Sequence, residues 1–332
     1  MKFKKVNISK FFEQIEKLKN IQQEFLNKYD VDDILSNSKI FEILIANELS
    51  HILIPGHSGS RDTKDEFDNV YEYKHFKETS SNHSWTFNDF SDTTIRKLND
   101  TKSVIFAHIN DTNKSSDKFI LDWYYEVSGH LMSSYLNEKV KKIKNTRKMI
   151  NVSSNQIEKN LNIHKTTLSG ENVSGLYFKD LEKIYNVIKE IQQITNVKNI
   201  LTSNKIWEVI TSVHLNHNVN SEQGGRKGSH DAFDEKLNQF EYKISKTKSW
   251  NFQDISENVL NKYNKIKFFV LAVKDPVNIS IKRIFLVNKK LVKRIREKLY
   301  SKMKKKGALR RLQVSASFND IKRYIIEDIK ID

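Results

Sequence analysis

Two tripeptides bring together the acid and the amine that phosphodiester chemistry uses: EYK at Glu72–Lys74, and EYK again at Glu241–Lys243. An aspartate stands upstream of each, Asp65 in DEFD and Asp231 in DAFD. In DEFDNVYEYK, Asp68-Asn69 reads as a two-residue hairpin turn, because both residue types accept positive φ. Pairing outward from that turn sets Asp65 opposite Glu72, and residues directly opposite share a face. Period-two alternation sends Lys74 to the same face. In the second stretch a longer turn at Glu235–Leu237 sets Asp231 opposite Glu241, and Lys243 follows on that face. Two carboxylates so close repel each other, so the pattern calls for a cation between them. A hard divalent ion such as Mg2+ takes oxygen ligands and keeps water, and a nearby lysine can hold or deprotonate that water. A single E-x-K is better explained as a solvated ion-pair cluster. Its recurrence with a matched aspartate and a matched upstream glutamate reverses that preference. Asp68 and Asp234 also match between the stretches and stand as rival ligands, three residues from the preferred aspartates.

The elements that position these groups are written twice. SKIFEIL at Ser38–Leu44 returns as NKIWEVI at Asn204–Ile210, which pairs Glu42 with Glu208 at a separation of 166. DEFD and DAFD share that separation, whereas the two EYK blocks are 169 apart, which implies three residues inserted between the blocks. SWTFNDFS at Ser84–Ser91 matches SWNFQDIS at Ser249–Ser256, and KSVIFAHIND at Lys102–Asp111 parallels KFFVLAVKD at Lys267–Asp275. RKMINVSSNQI at Arg147–Ile157 parallels RRLQVSASFNDI at Arg310–Ile321. We read two tandem copies of one domain, 1–165 and 166–332, with the boundary in the polar stretch Asn162–Gly175. Apolar spacing predicts, in each copy, a helix (Phe11–Lys28; Phe178–Ile194) and a second helix (Ile40–Leu53; Ile206–Leu215). The acidic hairpin follows, then a buried strand (Val104–Ile109; Phe268–Val273), a further strand (Phe119–Val127; Ile279–Val287) and another helix. Each copy is thus mixed α/β, with helices covering a central sheet.

The chain has 332 residues, no cysteine and a formal net charge of +16. Lack of cysteine excludes a disulfide scaffold, a thiol nucleophile and thiolate metal sites. No apolar run is long enough to cross a bilayer, and the charged N-terminal residues do not read as a signal peptide, so we expect a cytoplasmic protein. Excess positive charge favours a polyanionic partner, most often nucleic acid. No phosphate loop or dinucleotide fingerprint is present, so no nucleotide cofactor is expected; GGRKG at Gly224–Gly228 is too short for one.

A helix glutamate, then a strand aspartate, then E-x-K on the next strand resembles the PD-(D/E)XK nuclease superfamily, which includes most type II restriction endonucleases. The resemblance covers each copy, though no proline precedes Asp65 or Asp231. It implies two restriction-endonuclease-like domains related by a pseudo-two-fold. It further implies that Asp65 and Glu72, and Asp231 and Glu241, bind Mg2+, that Lys74 and Lys243 position the attacking water, and that Glu42 and Glu208 support the metal. Products in that family carry 5′-phosphate and 3′-hydroxyl ends. Arg61, Lys77, Arg147 and Lys148, with their counterparts Lys227, Lys246, Arg310 and Arg311, are candidate contacts to DNA phosphates. Trp85 and Trp250 read as core residues, and His51 and His217 as packing at a helix end. The expected activity is site-specific cleavage of double-stranded DNA by a monomer carrying both active sites. Alternatives are a structure-directed repair or recombination nuclease of the same fold, and a non-catalytic DNA-binding protein.

Overall fold

The computed structural model describes residues 5–35, 39–55, 61–80, 82–87, 92–112, 118–143, 149–201, 204–220, 230–255, 257–306 and 312–331. The N-terminal half runs α1 (Ile8–Tyr29), α2 (Lys39–Leu49), β1 (Ile52–Leu53), β2 (Thr63–Lys64), β3 (Val70–Lys77), β4 (Trp85–Phe87) and α3 (Asp92–Asn99). It continues with β5 (Ser103–Asn110), β6 (Ile120–Ser128), α4 (Gly129–Lys141), β7 (Ile150–Val152), α5 (Ser154–Leu161) and β8 (Thr166–Thr167). The C-terminal half follows as α6 (Phe178–Thr195), α7 (Lys205–His214), β9 (Asn218–Val219), β10 (Ala232–Phe233), β11 (Gln239–Ser245), β12 (Ser249–Ile255) and α8 (Glu257–Tyr263). It closes with β13 (Phe268–Asp275), β14 (Ser280–Asn288), α9 (Leu291–Lys306), β15 (Leu312–Ser317), α10 (Phe318–Ile321) and β16 (Ile325–Lys330).

The fold is mixed α/β, with two six-stranded mixed sheets. One has the order β1-β2-β3-β5-β6-β8 and the other β9-β10-β11-β13-β14-β16. In both, the third and fourth strands of that order run parallel and every other neighbouring pair is antiparallel. Outside each sheet lies a two-stranded ribbon, β4 with β7 and β12 with β15. The central strands explain their own position. SVIFAHI in β5 and FVLAVKD in β13 are buried along their length, the pattern of strands covered on both faces.

Two compact units result. One comprises Met1–Gln23, Asp33–Asn37 and Val187–Asp332, and contains the second sheet; the other comprises Glu24–Asp32 and Ser38–Asn186, and contains the first. The division falls within α1 and within α6, and so differs from the contiguous halves 1–165 and 166–332. Phe12 of α1, for example, packs on His214 of α7, ring centroids 4.9 Å apart. Helix α2 also stops earlier than its apolar run suggests, at Leu49, because Ser50 takes a left-handed conformation (φ 56°) and His51 N–H caps the Ala46 carbonyl at 2.9 Å. Asn216 (φ 52°) and the 2.8 Å bond from His217 N–H to the Ser212 carbonyl end α7 the same way.

Each unit has its own core. In the first, Trp85, Phe87, Val104, Phe106, Tyr125 and Leu136 pack between the sheet, the ribbon and α3–α4. In the second, Trp250, Phe252, Phe269, Leu271, Phe285 and Ile295 do so. Both tryptophans are fully buried, and each indole N–H donates 2.9 Å to a central-strand carbonyl, Ala107 and Ala272 respectively. Among the described residues no helix is long and apolar enough to cross a membrane.

Candidate active site

Helix α2 and its counterpart α7 each present a glutamate from their first turn, and each glutamate is held by a lysine three residues earlier. Lys39 Nζ lies 2.5 Å from Glu42, and Lys205 Nζ lies 2.6 Å from Glu208. Lys39 is only 7% exposed, an unusual place for an ammonium unless a carboxylate meets it. These two lysines lie inside the repeated SKIFEIL and NKIWEVI blocks, and that match is the sequence signal that marks them.

The hairpin differs from expectation in the first half. β2 pairs with β3 in the register Thr63↔Tyr71 and Lys64↔Val70, so the turn is centred on Phe67. That register carries Asp62, and not Asp65, opposite Glu72. Asp62 accepts a bond from the Tyr73 N–H (2.6 Å). Asp65 instead builds the turn: its carboxylate accepts from the N–H groups of Phe67 (3.0 Å) and Asn69 (2.9 Å), from the Asn69 side chain (2.8 Å) and from the Tyr71 hydroxyl (2.9 Å). Four donors hold its pKa well below the usual carboxylate range despite the opposing effect of desolvation. Asp68, one of the rivals, is left-handed (φ 60°) and pairs with Lys64 at 2.6 Å, away from Glu72.

In the second half the expected aspartate is in place. β10 pairs with β11 in the register Ala232↔Phe240, which carries Asp231 opposite Glu241, and Asp231 accepts from the Tyr242 N–H at 2.8 Å. Asp234 is the turn residue here, bonded to the N–H groups of Lys236 and Asn238 and to the Asn238 side chain. Both turns therefore have one length, with a left-handed residue at Asp68 and at Leu237 (φ 59°). Asp62–Lys74 and Asp231–Lys243 superimpose in sequence without a gap, and the extra residues of the second half lie before Asp231. Lys102 and Lys267 sit 3.7 Å from Asp65 and Asp234 respectively, which extends the equivalence.

The lysine of each E-x-K lies on its own glutamate. Lys74 Nζ donates to Glu72 Oε1 and to the Tyr73 carbonyl (3.2 Å); Lys243 Nζ donates to Glu241 Oε1 (2.5 Å) and to the Tyr242 carbonyl (3.0 Å). Phe87 and Phe252 lie under these ammoniums, 5.4 and 5.9 Å from ring centroid to Nζ. His51 and His217 brace the same strands: each Nδ1 pairs with a tyrosine hydroxyl, Tyr73 (2.7 Å) or Tyr242 (2.8 Å), and each ring stacks at 4.1 Å on Tyr71 or Phe240. Burial lowers both histidine pKa values, His217 to about 4, so they pack as neutral rings.

Electrostatics bind the members into one cluster per half. Burial, then the charges of Glu72 and Glu42, push the Asp62 pKa well up, against Lys74 and the Tyr73 N–H. Burial, then Asp231, raises Glu208, and the same two causes push Glu241 up to about 7 even though Lys243 opposes them. Burial disfavours charge on Lys74 and Lys243 as well, yet the facing carboxylates win and raise both lysines. Glu241 and Lys243 both rise, because burial, Asp231 and Glu208 outweigh the lysine at Glu241, whereas Lys243 gains from the carboxylates it faces.

Among the described residues no three acidic or histidine side chains already form a cage around a point that could hold a metal ion; lysines lie on the glutamates. Glu72 nonetheless offers a direct test of fit. Its Oε2 is buried with no hydrogen-bond partner, and a buried carboxylate oxygen is unfavourable unless a cation or donor meets it. Three carboxylates per cluster form a hard oxygen donor set of the kind Mg2+ takes. In donor chemistry these oxygens suit a divalent cation, while among the described residues they are not arranged as a cage around one.

The candidate DNA contacts fare unevenly. Arg61 is exposed beside Asp62. Lys77 lies 3.3 Å from Asp111, and Lys246 lies 3.0 Å from the buried Asp33, so both already serve ion pairs. In the hairpin register the counterpart of Arg61 is His230, which is buried. Lys227 (with the GGRKG stretch), Arg147, Lys148, Arg310 and Arg311 fall outside the described residues. No protein-family model matches the chain, and no curated protein matches its sequence.

Proposed function

We propose that the chain is a Mg2+-dependent endonuclease of double-stranded DNA, similar to PD-(D/E)XK restriction enzymes, with one active site in each of two tandem domains. The observation that carries this reading is the recurrence of one cluster in two sheets of identical strand order. Lys39, Glu42, Asp62, Glu72 and Lys74 recur as Lys205, Glu208, Asp231, Glu241 and Lys243, with the same backbone bond to each aspartate and the same pairings of each lysine. A solvated ion-pair cluster has no reason to bury these groups twice. The net charge of +16 suits a polyanionic substrate.

Asp62 and Glu72, supported by Glu42, would hold Mg2+ in the first domain, and Asp231 and Glu241, supported by Glu208, in the second. Bound there, the ion supplies Lewis-acid polarisation of a phosphoryl oxygen and a more acidic water. Lys74 acts as an ammonium. Two of its protons are engaged by Glu72 and the Tyr73 carbonyl, and the third is left for the attacking water or a phosphate oxygen. Its raised pKa makes it a donor that orients the nucleophile and offsets developing negative charge, and argues against its removing the water's proton. Lys243 does the same in the second domain. With both sites on one polypeptide, a monomer can cut both strands. Incubating unmodified plasmid and phage DNA with the full chain and Mg2+ tests the proposal. Discrete fragments with 5′-phosphate ends support it, smears or junction-dependent cuts favour a structure-directed nuclease, and lack of Mg2+-dependent cleavage contradicts both.

A further inference from the structure

Helices α4 and α9 each follow the strand that pairs with the central one, β6 in the first half and β14 in the second. The shared dipeptides Glu138-Lys139 and Glu297-Lys298 align them at a separation of 159. At that separation the buried faces coincide: Met132, Ser133, Leu136 and Val140 fall on Leu291, Val292, Ile295 and Leu299. The outward positions do not agree. Ser134 and Asn137 of α4 give way to Lys293 and Arg296 of α9. With two lysines and one glutamate α4 carries a charge of +1, whereas six lysines, two arginines and one glutamate give α9 a charge of +7.

The cations of α9 are of two kinds. Those on its flank serve the fold: Arg294 and Lys298 lie 3.3 and 2.5 Å from Asp320, and Lys298 and Lys302 donate to the Ser315 (2.9 Å) and Gln313 (2.7 Å) carbonyls of β15. Those on the outer face are Lys290 and Lys293, which are exposed, and Arg296, which is half-buried at its edge. Tyr300, 43% exposed, continues that face two turns beyond Lys293. Glu297, the helix's single acid, is engaged by Arg294 at 3.5 Å. Like charges three or four residues apart on a helix repel each other, so replacing a serine and an asparagine with cations brings the isolated fold no gain. The first half shows that a solvated face in this place needs neither cation. Leu291, Val292, Ile295 and Leu299 are all buried in the core, so between Lys290 and Lys302 the exposed face has no aliphatic side chain to enter a bilayer. It offers ammonium, guanidinium and phenol groups, the donors that meet phosphate oxygens in nucleic acids.

We propose that the outer face of α9, led by Lys293 and Arg296, is a phosphate-binding surface for duplex DNA that α4 does not supply, so that the two domains hold the substrate unequally. This rests on the endonuclease reading above for the identity of the polyanion, and deepens it by assigning a grip on DNA to residues outside the acid–acid–lysine clusters. Contacts of this kind fix the duplex against the protein without reading its sequence. Each neutralised phosphate releases a counterion and adds about 0.9 to the salt slope of duplex binding.

The test is a salt titration of duplex DNA binding by the full chain in EDTA, where no cleavage intervenes. Lys293→Ser combined with Arg296→Asn gives α9 the outward residues that α4 already carries, and thermal melts verify that the variant is folded. It is expected to bind every duplex sequence more weakly and to lower the slope of log K against log salt by about two. Ser134→Ala with Asn137→Ala, the matched change in α4, leaves affinity and slope at the wild-type values. An unchanged slope in the folded α9 variant, or an equal loss in the α4 variant, overturns the inference while leaving the endonuclease reading intact. If the α9 variant loses affinity for phosphatidylserine vesicles but not for duplex DNA, the face belongs to a membrane and the inference fails. A slope that falls as expected in a chain that never cleaves with Mg2+ upholds this surface and removes the endonuclease reading alone.

Discussion

The N-terminal and C-terminal clusters use the same five residue types in the same register, and they differ in what surrounds the central glutamate. Glu72 Oε2 is buried with no hydrogen-bond partner whereas neither oxygen of Glu241 is left so, and in the adjoining cores Leu98 of the first half stands where the second half has Tyr263. The residues with chemistry to do kept their types and partners in both halves, while the wall one layer out diverged. That contrast separates what the proposed hydrolytic site requires from what surrounds it, and mutation can act on each layer in turn.

Removing the lysine of one proposed site has the largest expected effect. Lys74→Ala and Lys243→Ala each slow cleavage of one strand by about a hundred- to a thousandfold, by loss of a positioned donor, and so turn linear product into nicked circles. Strand-specific sequencing of the nicks identifies which strand each site serves. A single variant that linearises plasmid at the wild-type rate breaks the pairing of one site with one strand.

Next comes the buried pair on the helix. Lys39→Met leaves the Glu42 carboxylate without its lysine in a setting where the lysine is 7% and the glutamate side chain 13% exposed, and lowers stability by about 3 kcal/mol in a urea melt. Lys205→Met acts in the same direction but less strongly, because both members of that pair are 17% exposed. Equal losses in the two variants contradict this ranking by burial.

A smaller effect is tied to pH. The Glu241 carboxyl, pushed from 4.5 up to about 7 by burial and Asp231, keeps its proton in the folded chain at pH values where the unfolded chain has lost it. Its contribution to stability therefore falls as pH rises from about 4.5 to about 7. Glu241→Gln removes that slope, so thermal melts of the variant decline less across this window than those of the wild type. A variant whose profile parallels the wild type contradicts the assignment. The smallest change is expected at Lys77 and Lys246. Because Asp111 and Asp33 already engage them, alanine at either site alters the salt dependence of DNA binding by a slope of less than about 1.

Much of this was legible in the sequence. The matched glutamates, both E-x-K lysines, Asp231, the central strands and the buried tryptophans follow from repetition and periodicity, because helices and buried strands impose those periods on any sequence that forms them. Asp62 was hidden by a decoy. DEFD and DAFD share three letters of four, yet the second block is a strand with its flanks and the first is a turn. Extending the EYK separation of 169 upstream aligns Asp62, Asp65, Glu66 and Asn69 with Asp231, Asp234, Glu235 and Asn238, and no insertion is needed. Turn chemistry carries that signal: Asp65 and Asn69, like Asp234 and Asn238, are bonded to each other across each turn. Lys39 and Lys205 were visible as a matched pair, but their burial follows from packing that no local pattern encodes. The division of α1 and α6 between units was equally out of reach, since repetition shows that a helix recurs and leaves open which sheet it covers.

The central claim is that each cutting centre is an aspartate just before the strand that enters the hairpin turn, a glutamate and a lysine, and that Asp65 belongs to the turn. Plasmid cleavage by Asp62→Asn and Asp65→Asn, side by side at saturating Mg2+, tests it most directly. The account predicts that Asp62→Asn yields only nicked circles, as Lys74→Ala does, while Asp65→Asn still produces linear DNA from a chain that melts at a lower temperature. Linear product from Asp62→Asn, with nicked circles from a well-folded Asp65→Asn, would contradict it.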